Sequence, residues 1–263
     1  MNSKSSLHSF FKLRKWQILL STVFFSISQL QASESLSRDG LNIYRHNENY
    51  FITGKEETKI QLSFKMELIA DAGFYVAYTQ LMFWDLGIGT AHFSDVNYNP
   101  EFFYRLRLSN SILKEIDFCP LDHKSDGQTA ENARSWNRTY INLRSDYEFF
   151  HLNFRTETKM YYFYEYDNTN PEIYRKLGLI EFGFTIENLL LGRFSQDELN
   201  IKIVPGGVFS MSENEGHQEL NFKFRLQIPR LNPSIYFQIY NGTDEKLIKY
   251  NETATSYRIG LAL

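Results

Sequence analysis

Residues 255–263 read Thr-Ser-Tyr-Arg-Ile-Gly-Leu-Ala-Leu. Successive side chains of a β-strand point to opposite faces, so Tyr257, Ile259, Leu261 and Leu263 share one face and Ser256, Arg258, Gly260 and Ala262 the other. An apolar face backed by arginine, serine and small residues is the pattern of a barrel wall, with lipid outside and a polar lumen inside. Similar windows recur upstream at 59–69, 74–84, 100–108, 135–143, 147–154, 160–166, 177–186, 220–227 and 234–240. Most approach the roughly 9–11 residues that a tilted strand needs to cross a bilayer. Polar punctuators separate them, among them Asp167-Asn168-Thr169-Asn170-Pro171, Pro205-Gly206-Gly207 and Asn241-Gly242-Thr243-Asp244, which read as turns or surface loops.

The composition agrees. The chain holds 23 Phe, 17 Tyr and 3 Trp in 263 residues, an aromatic load that suits the two interfacial girdles of an outer-membrane barrel. At the N-terminus, Lys4, Lys12, Arg14 and Lys15 precede an apolar run from Ile18 to Ile27 and then Leu30-Gln31-Ala32. That order is a secretory signal peptide, and an apolar run of about ten residues is half of what a spanning helix needs. We read residues 1–32 as the signal peptide, 33–58 as an irregular N-terminal segment and 59–263 as the barrel. Removal of the leader leaves 24 Lys plus Arg against 31 Asp plus Glu, a balance that gives no sign of a nucleic-acid partner, and none is expected. With Cys119 as the single cysteine, an exported chain has no intramolecular disulfide framework.

Chemistry concentrates in 118–138, FCPLDHKSDGQTAENARSWNR. Alternation groups Cys119, Leu121, His123 and Ser125 on one face of the first strand, with Asp122, Lys124 and Asp126 opposite; on the next strand it groups Ser135, Asn137, Thr139, Ile141 and Leu143. A serine hydroxyl becomes a nucleophile when a neighbouring histidine takes its proton. The histidine in turn needs a partner that holds its other ring nitrogen, and Asn137 offers a neutral one where an unpaired carboxylate would be costly. On an outward face such a group meets a lipid ester. The same residues also fit a bland reading, as polar groups at a strand end. His46, His92, His151 and His217 have no metal-like spacing.

The segment resembles the active-site signature of the outer membrane phospholipase A family, H-x-S-[ND]-G followed after a short loop by S-R-S-W-N-R. His123-Lys124-Ser125-Asp126-Gly127 and Arg134-Ser135-Trp136-Asn137-Arg138 carry the match, and Asn49-Tyr50, Tyr78-Thr79-Gln80, Asn170-Pro171-Glu172 and Tyr236 through Tyr250 extend it. The resemblance implies a twelve-stranded antiparallel transmembrane barrel in the bacterial outer membrane that hydrolyses the acyl esters of membrane phospholipids and lysophospholipids. It implies Ser125 as nucleophile, His123 as base and then acid, and Asn137 as the residue that orients the imidazole. Calcium and a homodimer are implied too, with Gln128, Ala133 and, from across the dimer, Thr90 at the metal positions and Gln80 facing the partner. Ala133 lacks the side-chain hydroxyl of that pattern, so weaker calcium binding is expected. The competing expectations are a non-enzymatic barrel, a porin or structural protein with an unused triad, and a soluble esterase; the latter would carry a Gly-x-Ser-x-Gly elbow, which Ser125 lacks.

Overall fold

A computed structural model describes residues 42–263 except 56, 87–91, 110–111, 130–132, 167, 191–196, 208, 211, 213, 227 and 229–231. The signal-peptide segment and Thr90 lie outside the described residues. The elements run β1 (Ile43–Arg45), β2 (Tyr50–Gly54), β3 (Thr58–Ile69), β4 (Phe74–Asp85), β5 (His92–Arg107), β6 (Leu113–Ser125), β7 (Ser135–Phe149), β8 (Leu152–Tyr166), a five-residue helix α1 (Ile173–Leu177), β9 (Ile180–Glu187), β10 (Asp197–Pro205), β11 (Gly216–Arg225), β12 (Ser234–Gly242), a 3₁₀ turn at Leu247–Lys249, and β13 (Ala254–Ala262).

From β3 to β13 each strand pairs antiparallel with the next, and the ring closes where β13 meets β2 and β2 meets β3. β1 and β2 both pair with β3, at Phe64–Met66 and at Thr58–Gln61 respectively, so they are two halves of one interrupted strand. The wall thus has twelve positions, the expected number. Residues 33–58 were expected to be irregular, and here the fold differs: β1 and β2 belong to the wall. The break between them carries polar side chains in place of an apolar alternation, which hides the strand. Those side chains replace ladder bonds, since Asn49 Oδ1 accepts the Ser63 N–H at 2.5 Å, Ser63 Oγ accepts the Asn47 N–H at 3.0 Å, and Gln61 Nε2 donates to the Glu48 carbonyl at 2.7 Å.

In β13, Ser256, Arg258 and Ala262 are buried while Tyr257, Ile259 and Leu261 are exposed. The window 147–154 is a hairpin rather than a strand: Phe149 pairs with Leu152, and Phe150 turns the chain at φ 57°. Aromatic residues there occupy an interfacial turn, so composition imitates a strand without marking the reversal. Phe74, Tyr104, Tyr147, Phe149 and Phe150 ring the end with the shorter described turns, and Phe93, Tyr98, Tyr162, Tyr164 and Tyr166 the other end.

The interior is polar. Arg105 bonds Asp117 through Nε at 2.6 Å and Nη2 at 2.8 Å, and Arg144 reaches Glu115 at 2.5 Å, Asp117 at 3.2 Å and Glu157. Buried charges persist only when paired and hydrogen-bonded. A polar cavity of about 410 Å³ remains in the lumen. At the loop end, Trp136, Ile173, Leu177, Leu247 and Tyr250 pack into an apolar cluster.

A charge on the outer face separates this architecture from a soluble barrel. In phospholipid vesicles, Ile259→Arg is expected to cost about 2–4 kcal/mol of folding stability, whereas Ser256→Ala, which loses the bond to Glu245 Oε1 at 2.7 Å and the one from Arg258 Nη1 at 2.6 Å, costs about 1–2 kcal/mol. Urea unfolding followed by tryptophan fluorescence measures both.

Candidate active site

The strands β6, β7 and β8 place the candidate residues at the loop end of the wall. His123 and Asn137 are direct cross-strand partners, as are Ser125 and Ser135. His123 Nδ1 lies 2.9 Å from Asn137 Oδ1. Ser125 is the last residue of β6 and shares the outward parity of His123; two residues along a strand span about 6.6 Å, within reach of an imidazole arm. Among the described residues no hydrogen bond joins Ser125 to His123. All three side chains are half-buried.

The parity that aims His123 outward is not continuous along β6. Cys119, expected on the face of Leu121 and His123, lies inside with Tyr75, Ala77, Phe103, Tyr140 and Tyr161. The β6–β7 register shifts between Cys119 and Asp122, and Pro120 and Leu121 are both exposed. Proline has no N–H for the ladder and is confined to edges and bulges within a sheet. The bulge thus reverses the faces just before the site, the use that bulges commonly have beside active sites.

Behind the wall, the inward side chains brace the same strands. Asp122 accepts Arg138 Nε at 2.6 Å and Asn99 Nδ2 at 2.7 Å, and Asn99 Nδ2 also reaches the His123 carbonyl at 2.5 Å. The Arg138 guanidinium lies 3.7 Å from the Tyr161 ring centroid and 4.1 Å from that of Trp136, a stacked cation. Asp122 is therefore committed to Arg138 and unavailable as a partner for His123, as alternation implied. Neither Asn99 nor the role of Arg138 was visible in the sequence, because the brace joins β5, β6 and β7 across the pleat.

The loop after Ser125 is held by Asp126, whose Oδ1 accepts the N–H of Gln128 at 3.0 Å and of Arg134 at 3.1 Å, while its Oδ2 is buried with no hydrogen-bond partner among the described residues. Gly127 sits at φ +67°, and a Cβ there would approach Tyr98 Cε2 to 2.8 Å. Gln128 is exposed. Ala133 has no side-chain oxygen, and its carbonyl accepts Arg134 Nη1 at 2.8 Å and the Thr169 hydroxyl. No group of three or more His, Cys, Asp or Glu able to hold a metal occurs among the described residues.

A closed antiparallel barrel with an apolar outer face and a Ser, His, Asn set at its loop end defines the class: an outer-membrane β-barrel protein built to work at a lipid surface. The sequence pattern of the phospholipase A1 family matches residues 2–263, and the chain belongs to that family. It is 26% identical to the phospholipase A1 of Klebsiella pneumoniae over 244 residues, 88% of this chain and 77% of the relative, and 24% identical to that of Escherichia coli over 88% and 76%. Among solved structures, the Salmonella typhi outer membrane phospholipase dimer with bound calcium superposes with a TM-score of 0.72 at 23% identity, covering 90% of this chain and 96% of that one. Outer membrane phospholipase A from Escherichia coli gives 0.70 at 24% identity, over 84% and 98%. The protein is accordingly an enzyme, a phospholipase on an outer-membrane barrel.

Gly127→Ala tests the loop geometry. A non-glycine residue at φ +67° is expected to cost about 1–2 kcal/mol, and the crowding against Tyr98 displaces the chain next to Ser125. Hydrolysis of a phospholipid in detergent micelles should fall at least tenfold while the barrel still folds by gel mobility.

Proposed function

We propose that this chain hydrolyses the acyl esters of membrane phospholipids and lysophospholipids through Ser125, His123 and Asn137 on the outside of the barrel. The observation that supports this most is the 2.9 Å contact between His123 Nδ1 and Asn137 Oδ1, with Ser125 on the same outward face. An amide oxygen facing Nδ1 holds the imidazole with its proton there, which leaves Nε2 as the base.

Ser125 Oγ attacks the ester carbonyl carbon as His123 Nε2 takes the hydroxyl proton. The carbonyl oxygen then carries negative charge. Collapse of the tetrahedral species expels the lysophospholipid alcohol, which receives the proton from His123. Water, deprotonated by the same nitrogen, attacks the acyl-Ser125 ester and releases fatty acid. The oxyanion needs a preorganised donor. The Gly127 N–H, two residues beyond the nucleophile, makes no hydrogen bond to another described residue and is the candidate. Lipid supplies the substrate from the hydrocarbon side, where Tyr98, Tyr162 and Tyr164 are exposed.

A relative's structure holds calcium, and the resemblance puts the metal at Gln128 and Ala133. The described residues at those positions, Gln128 and Ala133, fit that role poorly. Calcium takes about 6–8 oxygen ligands; Ala133 contributes no side-chain oxygen, and its carbonyl faces the Arg134 guanidinium, a cation where another cation would sit. No step above passes through the metal. Homodimerisation is proposed through the face that includes Gln80, which lies on the outward parity of β4 between Leu62 and Tyr98; a polar pair across two barrels would be stabilised in lipid. We assign residues 1–32 to the export signal.

Ser125→Ala is expected to lower phospholipid hydrolysis by at least about 10³-fold; wild-type activity no higher than that of this variant would refute the triad. In chelator-treated micelles, titration with calcium should show activation only well above low micromolar concentrations, and full saturation at low micromolar calcium would contradict the poor fit of Ala133.

A further inference from the structure

The triad reading ends at Asn137, but the hydrogen bonding does not. Asn137 Nδ2 donates to Glu165 Oε2 at 2.9 Å, so His123, Asn137 and Glu165 form a line across β6, β7 and β8, each opposite the next in register. We propose that Glu165 is a positioning residue for the ester hydrolysis, acting through Asn137. This inference rests on the triad reading above.

Glu165 reaches this place through an irregularity. β8 pairs Phe163 with Arg138 and Glu165 with Asn137, so Tyr164 is an extra residue in the ladder. Phe163 faces inward, 5.8 Å from the Trp136 ring centroid. Plain alternation from Phe163 would aim Glu165 into the lumen, which holds the cations Arg138 and Lys159. The bulge instead turns the carboxylate to the outer wall, where the rings of Tyr162 and Tyr164 are exposed. That is an unfavourable setting for a charge. Among the described residues the carboxylate has one hydrogen-bond partner, Asn137, and no ion pair.

The chemistry of the amide explains the arrangement. An ionised carboxylate only accepts hydrogen bonds, so it holds the NH₂ end of Asn137 towards Glu165 and the carbonyl end towards His123. A turned amide would present NH₂ to Nδ1. The imidazole would then carry its proton on Nε2, the nitrogen that must take the Ser125 proton. Glu165 therefore selects the working tautomer at one remove, and a hydrogen bond to a charged acceptor also strengthens the amide oxygen as an acceptor for His123.

The test compares Glu165→Ala, Glu165→Gln and Asn137→Ala, with the double variant Asn137→Ala/Glu165→Ala and Ser125→Ala as controls, each checked for barrel formation by gel mobility. Glu165→Ala should lower kcat about ten- to hundredfold, the weight of one hydrogen bond to a charged group, with KM for a micellar phospholipid within about twofold. Glu165→Gln, whose Oε1 still accepts, should recover most of the loss. In the Asn137→Ala background, Glu165→Ala should change nothing further, since its target is gone. Nitrogen NMR of labelled histidine, with His123 assigned by its deletion, should show Nδ1–H in the folded enzyme and a shift towards Nε2–H in Glu165→Ala. Wild-type kcat in Glu165→Ala, equal impairment in Glu165→Gln, or an undiminished further loss in the Asn137→Ala background would each overturn the role. Wild-type activity in Ser125→Ala would instead remove the triad reading itself.

Discussion

The structure depends on a rule about backbone groups. In hydrocarbon an unpaired N–H or C=O costs several kcal/mol, so a sheet that spans a membrane must close on itself. The seam is where this is hardest to satisfy, because β1 and β2 together do the work of one strand. β2 bridges β13 and β3 over Tyr50–Gly54, and β1 takes up β3 again beyond the break. Between them, the Asn49 side chain fills the place of a backbone acceptor for Ser63. A twelve-position ring is thereby completed with a polar interruption that faces the lumen.

Closure sets the second constraint, that every residue faces either lipid or lumen. The outward face carries the aliphatic and aromatic residues, and the inward face carries charges that can persist only as networks. Arg105, Arg144, Glu115, Asp117 and Glu157 form one such network. A buried ion pair is weak evidence for net stability, yet deletion of one partner strands the other charge, at a cost of roughly 3–5 kcal/mol. The Asp122–Arg138 pair has that character directly behind His123 and Asn137. Fold and candidate site are therefore coupled through one wall: the outward side chains form the candidate triad while the inward neighbours in the same two strands hold the register.

Strict alternation alone would not have built the site. Counted back from His123 without interruption, Cys119 would face lipid, and counted forward from Phe163, Glu165 would face the lumen. Two bulges, at Pro120–Leu121 and at Tyr164, reverse the parity on either side of Asn137. A bulge needs only one extra residue in one strand, so it moves a side chain from one face to the other without disturbing the ring.

The sequence by itself determined the architecture and the outward trio. Period-two alternation in β13 is visible residue by residue, since a lipid face and a lumen face demand opposite polarity, and it groups His123 and Ser125 on one face of β6 and Asn137 with Ser135 and Thr139 on one face of β7. It missed β1 and β2, because each is only three to five residues long and a polar break at His46–Asn49 separates them, and it read the 147–154 hairpin as a strand, because interfacial aromatics look like wall residues. Only the tertiary structure decided which side Cys119 and Glu165 take, that Asn99 and Arg138 brace the site from behind, and that the Ala133 carbonyl faces a guanidinium. Each of these depends on register between neighbouring strands, and a register shift of one residue leaves no mark in either strand read alone.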